Sequence, residues 1–221
     1  MTTAALRILS GRPVIFALAF LSFACLLGQF YQMWTMRFFA CWILPPATAL
    51  LVWIGFATRG GGVGRAPHVW ITQGTLGGVV AAVAYDLYRL PFVLGGAPLF
   101  TVFPRFGQLI LGEAEQSPLA HALGWAYHYS NGAALGIMFL ALVKRPHPRL
   151  LFWGAVTWAL FIEAMLLLTP YPTFFGLQLN GRFLFLTASA HLVFGLTLGW
   201  WCVNRVPGRE PAGDGPTPGP A

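Results

Sequence analysis

Six stretches of about 20 mostly apolar residues recur along the chain, at approximately 13–31, 38–57, 69–90, 119–143, 150–168 and 183–203. A helix needs about 20 such residues to cross the hydrocarbon core of a bilayer. In lipid every backbone polar group must find its partner within the structure, which leaves helices and closed barrels as the spanning forms. The pattern therefore predicts an all-α, polytopic transmembrane helix bundle with six spans over residues 1–205. Charge scarcity agrees, because 9% of the 221 residues are charged and 57% are hydrophobic, against roughly 25% charged in an average soluble domain.

The formal net charge is +7, but the basic residues are scattered between apolar spans and form no patch or motif of a nucleic-acid reader. Their placement sets topology instead. With the N-terminus inside, Arg7, Arg12, Arg59, Arg65, Lys144, Arg145, Arg149, Arg205 and Arg209 fall on the cytoplasmic side, and Arg37, Arg89, Arg105 and Arg182 fall outside. Nine against four is the bias expected of cytoplasmic loops. Six spans then return the C-terminus to the cytoplasm, so the expectation is a multi-pass protein of a bacterial cytoplasmic (inner) membrane.

A cleaved signal peptide is the alternative for the first span, since Arg7 and Arg12 precede the apolar run and Cys25 follows "LSFA". The run continues to Phe30, beyond the roughly 7–15 residues of a signal core, which favours a span. Cys25, Cys41 and Cys202 are single and unpatterned, as small apolar residues are, with no disulfide or zinc spacing. His68 and His147 belong to short basic connections and read as solvated. The tail, 206–221, is rich in Pro and Gly and is expected to be disordered and cytoplasmic.

The longest connection, 91–118, is predicted to face outside, yet "PFVLGGAPLFTVFPRFGQLIL" is largely apolar and broken by Gly and Pro. Such a segment either lies along the interface or folds back into the bundle, where it acts as packing or as a lid.

The polar residues within spans carry the functional reading. Span three ends with Asp86, and span four carries His128-x3-Gly132-x3-Gly136. Span five carries Glu163, and span six carries His191-x3-Gly195-x3-Gly199. Each hairpin thus supplies one acid and one histidine, an internal echo of the kind seen in membrane proteins with structural repeats. At 1.5 Å per residue His128 lies roughly 15 Å deep and His191 roughly 14 Å, both measured from the outer end of their spans. Glu163 lies about 10 Å deep by the same rise, Asp86 and Arg89 nearer the surface, and His121 one to two turns above His128.

An ionisable group at membrane depth usually faces the bundle interior or a water-filled cavity. The glycines at i+4 and i+8 put each histidine on a small-residue packing face, and Gly74 and Gly78 give span three a similar one. Asp86, His121, His128, Glu163 and His191 are therefore the candidate ligand or proton pathway, with Arg89, Ser130 and Asn131 as secondary members. The plain alternative for each is structural: Asp86 paired with Arg89 at i,i+3, Glu163 protonated in the core, and the histidines hydrogen-bonded in packing.

Four chemistries fit this set. A cavity open to the outside would bind a small cation or relay protons, because imidazole titrates near neutrality. A membrane-embedded enzyme with a transition metal or haem would use His128, His191 and Glu163 as the metal shell. At "HYSNGAALG" and "AHLVFGLTLG" the chain also resembles the rhomboid intramembrane proteases. That resemblance implies a six-span fold, with Ser130 as nucleophile and His191 as its base. The chain departs from the family at Gly-x-Ser-Gly, which is absent, and in "FFACWILPPATALLVWIGFA", which lacks the His and Asn used around the oxyanion. Finally, the Gly-x3-Gly faces would suit a non-catalytic subunit assembling with other membrane proteins or with itself. A cavity that binds or translocates a small cation, proton or cofactor is the expectation carried forward, with membrane lipid as the surrounding partner and no nucleic acid.

Overall fold

A computed structural model describes residues 3–61, 64–115, 117–143 and 147–206. All regular structure among them is helical. A short α1 (Thr3–Leu9) leads into α2 (Arg12–Phe30), which opens with Pro13, a residue whose missing N–H costs nothing in a first turn. The next span, Met36–Ala57, is one continuous helix made of α3 (Met36–Phe38), a π-helical turn (Phe39–Ile43) and α4 (Leu44–Ala57). Pro45 and Pro46 have no N–H to donate to the carbonyls of Cys41 and Trp42, and the widened turn sits where those bonds are lost.

The longest helix is α5 (Ala66–Leu94), closed by Gly95 and by Gly96 at φ +90°. Then come α6 (Val102–Leu111), α7 (Pro118–Leu142), α8 (Pro148–Leu167), the single turn α9 (Tyr171–Phe174) and α10 (Gly181–Arg205). Side chains cap several starts: Ser117 accepts from the Ala120 N–H and Asn180 from the Phe183 N–H. The tail expected at 206–221 lies outside the described residues apart from Val206.

Among the described residues, five helices are long and apolar enough to cross a membrane: Arg12–Phe30, Met36–Ala57, Ala66–Leu94, Pro148–Leu167 and Gly181–Arg205. Trp42, Phe56, Leu87, Trp153, Phe185 and Trp200 are among the large apolar side chains exposed on the outer surface. Among the six stretches expected to span, α7 differs. At 25 residues it is about 37 Å long, but His121, His128, Ser130 and Asn131 dilute its apolar character. It packs against α2, α5 and α6, and Gly132 together with every residue from Ala134 to Ala141 is buried. A helix wrapped by its neighbours has no need of a lipid-soluble surface.

Three close helix contacts position the site. A Cβ on Gly78 would lie 2.0 Å from the Gly132 carbonyl oxygen, and one on Gly136 would lie 2.0 Å from that of Gly74, so α5 and α7 touch backbone to backbone. On the other hairpin Gly195 and Gly199 of α10 press against Ala155, Val156 and Phe152 of α8. The 91–118 connection folds back onto the bundle: α6 lies on α7 with Gly107 against the Ala120 backbone and Gly124 against that of Phe103. The Gly-x3-Gly faces considered for partner chains are thus filled by this chain's own helices.

Candidate functional site: two acid–histidine pairs around one cavity

Each hairpin joins its own acid to its own histidine. Asp86 of α5 meets His128 of α7, with Oδ2 and Nε2 2.9 Å apart. Glu163 of α8 meets His191 of α10, with Oε2 and Nδ1 3.1 Å apart. The same His191 Nδ1 is 3.0 Å from the Thr187 carbonyl oxygen. A carbonyl only accepts, so Nδ1–H donates to it and Nδ1 carries the ring proton.

The hairpins correspond in packing as well as in their polar residues. The residues four and eight before the acid face the glycine four after the histidine. Ala82 and Gly78 lie against Gly132, and Ala159 and Ala155 lie against Gly195. The small residues bring the helices close enough for a short carboxylate and an imidazole to meet across the gap.

His128 of the first pair and both members of the second border one cavity of about 120 Å³ between α5, α7, α8 and α10, with α2 and α6 completing the wall. Arg89, His128, Asn131, Glu163, Thr187 and His191 supply its polar lining. The ring of Tyr85 stands between the pairs, its centroid 6.0 Å from that of His128 and 5.0 Å from that of His191. That volume admits a few waters or a small ion. It falls well short of the roughly 300–1,000 Å³ of drug-sized ligand sites, and a haem does not fit.

The two carboxylates differ in how their charge is met. Asp86 has the Arg89 guanidinium 3.9 Å from Oδ1 in addition to His128. Arg89 itself, 5% exposed, lies over the rings of Tyr85, Phe100 and Phe103 and donates to the Leu99 carbonyl, which ties the connection between α5 and α6 to α5. Glu163, also 5% exposed, has His191 as its sole ion-pair partner among the described residues, and its Oε1 has no hydrogen-bond partner.

Of the remaining expected residues, Asn131 stays on the cavity wall while His121 and Ser130 lie elsewhere. Asn131 accepts from the Ser22 hydroxyl at 2.6 Å, linking α7 to α2. His121 is exposed near the start of α7 and is not part of the cavity wall. Ser130 lies in a separate cleft between α2, α4 and α7, and its hydroxyl donates to the Tyr127 carbonyl. Two residues along a helix are about 200° apart, so Ser130 and His128 face different sides of α7, and His191 shares the cavity with His128. The nucleophile and base implied by the rhomboid resemblance therefore border different pockets. Nor do His128, His191 and Glu163 converge as one metal shell: among the described residues no group of three His, Cys, Asp or Glu side chains is arranged to hold an ion.

Residues that carry the site without standing out in the sequence are Tyr85, Phe103 and Thr187. Phe103 stacks on His128 with centroids 4.2 Å apart. Thr187 had a readable signal, since it lies one turn before His191 on the same helix face.

The fold and the site together define a multi-pass helical membrane protein with two acid–histidine pairs, each joining a buried acid to a half-buried histidine, and both histidines border one cavity. None of the protein-family models, curated proteins or solved structures compared with the chain matches it.

Proposed function

We propose that the protein is a six-span membrane protein, with α7 as the sixth span, whose cavity exchanges a proton for a small monovalent cation on the outer side. The observation that carries this reading is Glu163, a buried carboxylate on the cavity wall with one unpartnered oxygen and no arginine or lysine ion pair among the described residues. Asp86 is offset by Arg89. When both histidines are neutral, Glu163 leaves one negative charge uncompensated, and burying such a charge is costly. One positive charge relieves it, supplied either by a proton on the His191–Glu163 pair or by a cation in the cavity.

Proton and cation then compete for one site, which is the condition for coupling their movements. The distribution of basic residues along the sequence supports an outward-facing cavity. Falling pH is expected to raise the half-saturating cation concentration, because protons then occupy the pair in the cation's place.

The test is proton release on adding NaCl or KCl to purified protein, read with a pH-indicator dye, with choline chloride as control. Wild type should release protons saturably and Glu163→Gln should not. Equal release by a folded Glu163→Gln protein would sink the proposal, as would a cation response that does not change with pH.

A further inference from the structure

A second cavity, of about 480 Å³, lies at the opposite end of the bundle, where α2 and α5 begin and α7 ends. Arg12 and Arg65 border it, and Val69, Trp70, Leu140 and Leu151 form much of its apolar wall. Arg12 is held in place: its guanidinium lies 4.3 Å over the Trp70 ring, and its Nη1 donates to the carbonyls of Ala141 and Val143 at the end of α7. Both bonds use Nη1, so Nη2 and Nε make no hydrogen bond to the described residues. Arg65 is exposed and has no ion pair among them.

Charge at this end has no acidic counterpart among the described residues. Asp86, Glu113, Glu115 and Glu163, the acidic residues within 3–206, all fall in the other half of the bundle. Two guanidinium groups on one cavity without a carboxylate make an anion site, and Arg presents paired donors that match a phosphate. The apolar wall selects further, because a free inorganic anion gains nothing from Val69, Leu140 and Leu151, whereas an amphiphile buries its chain there.

We propose that this cavity binds an anionic phospholipid, with Arg12 and Arg65 on the headgroup phosphate and an acyl chain along the apolar wall. The proposal is independent of cation exchange at the other cavity, and either can fail alone.

The full-length protein in a neutral detergent would be titrated with phosphatidylglycerol, with phosphatidylcholine of the same chains, and with inorganic phosphate. Retained lipid would be counted by native mass spectrometry and the unfolding midpoint followed in parallel. Phosphatidylglycerol is expected to stay bound and raise the midpoint, and the other two are not. Arg65→Gln should weaken half-saturation about fivefold, the contribution of one basic residue at a membrane surface, while leaving the lipid-free midpoint unchanged. Arg12→Lys keeps the charge but loses the fork, and should weaken it as well. Equal retention of the two lipids overturns the proposal, and so does wild-type binding by the Arg12→Lys/Arg65→Gln double variant. An identical shift with inorganic phosphate alone also overturns it, by assigning the cavity to a free anion.

Discussion

Asp86 holds two partners at once, so its removal does more than delete one contact. The carboxylate faces His128 on α7 and Arg89 one turn further along α5. Asp86→Ala would leave a guanidinium buried without a counter-charge, and breaking a buried pair from one side costs about 3–5 kcal/mol. Unfolding in a denaturing detergent should show a loss of that order, with Asp86→Asn losing less because its amide oxygen still accepts from His128. An Asp86→Ala protein as stable as wild type would mean that Arg89 is neutralised elsewhere.

The ionisable members of the site were legible one by one, since Asp86, His128, Glu163 and His191 interrupt apolar runs where such groups are expensive. Tyr85 and Phe103 were not. In a chain with 15% aromatic residues one more ring carries no signal, and only its neighbours mark it.

At the scale of the element, glycine placement decides whether a pair can form. A Cβ on Gly78 would lie 2.0 Å from backbone oxygen, and backbone cannot rotate away as a side chain can. Gly78→Ala should therefore push α5 from α7, at the roughly 1–3 kcal/mol typical of overpacking, and separate Asp86 from His128. Gly181→Ala is the control, because nothing lies within 4 Å of a Cβ at the start of α10. Thermal unfolding of the two variants should differ accordingly, and equal midpoints would show that the helices can part without loss.

Helix boundaries were readable from the apolar runs to within a few residues, as with 119–143 against Pro118–Leu142. The π-helical turn was not read, although Pro45 and Pro46 are its visible cause. Two placements came only from contacts: Ser130 borders a different cleft from His191, and the glycine faces pack against this chain's own helices.

For the whole molecule the testable claim is topology. In a Cys41→Ala background, Thr101→Cys on the outer connection and Arg59→Cys between α4 and α5 both occupy exposed positions. A membrane-impermeant thiol reagent applied to intact cells should label the first and reach the second only after permeabilisation. Labelling of both in intact cells would mean that α5 does not cross, and the reverse pattern would invert the bundle.

What the sequence determined by itself was local and additive: helical spans, their approximate ends, the cost of each buried charge, and the shared face of each histidine with its glycines. These follow from composition and from a period of 3.6 residues, which need no knowledge of neighbours. Only the tertiary structure decided that Asp86 joins His128 while Glu163 joins His191, that both histidines border one cavity, that α7 is the helix its neighbours wrap, and that α6 closes over it. Those facts depend on which helices are adjacent and how each is turned about its axis. That choice is made by backbone-to-backbone packing at Gly74, Gly78, Gly132, Gly136, Gly195 and Gly199, acting on all the helices together.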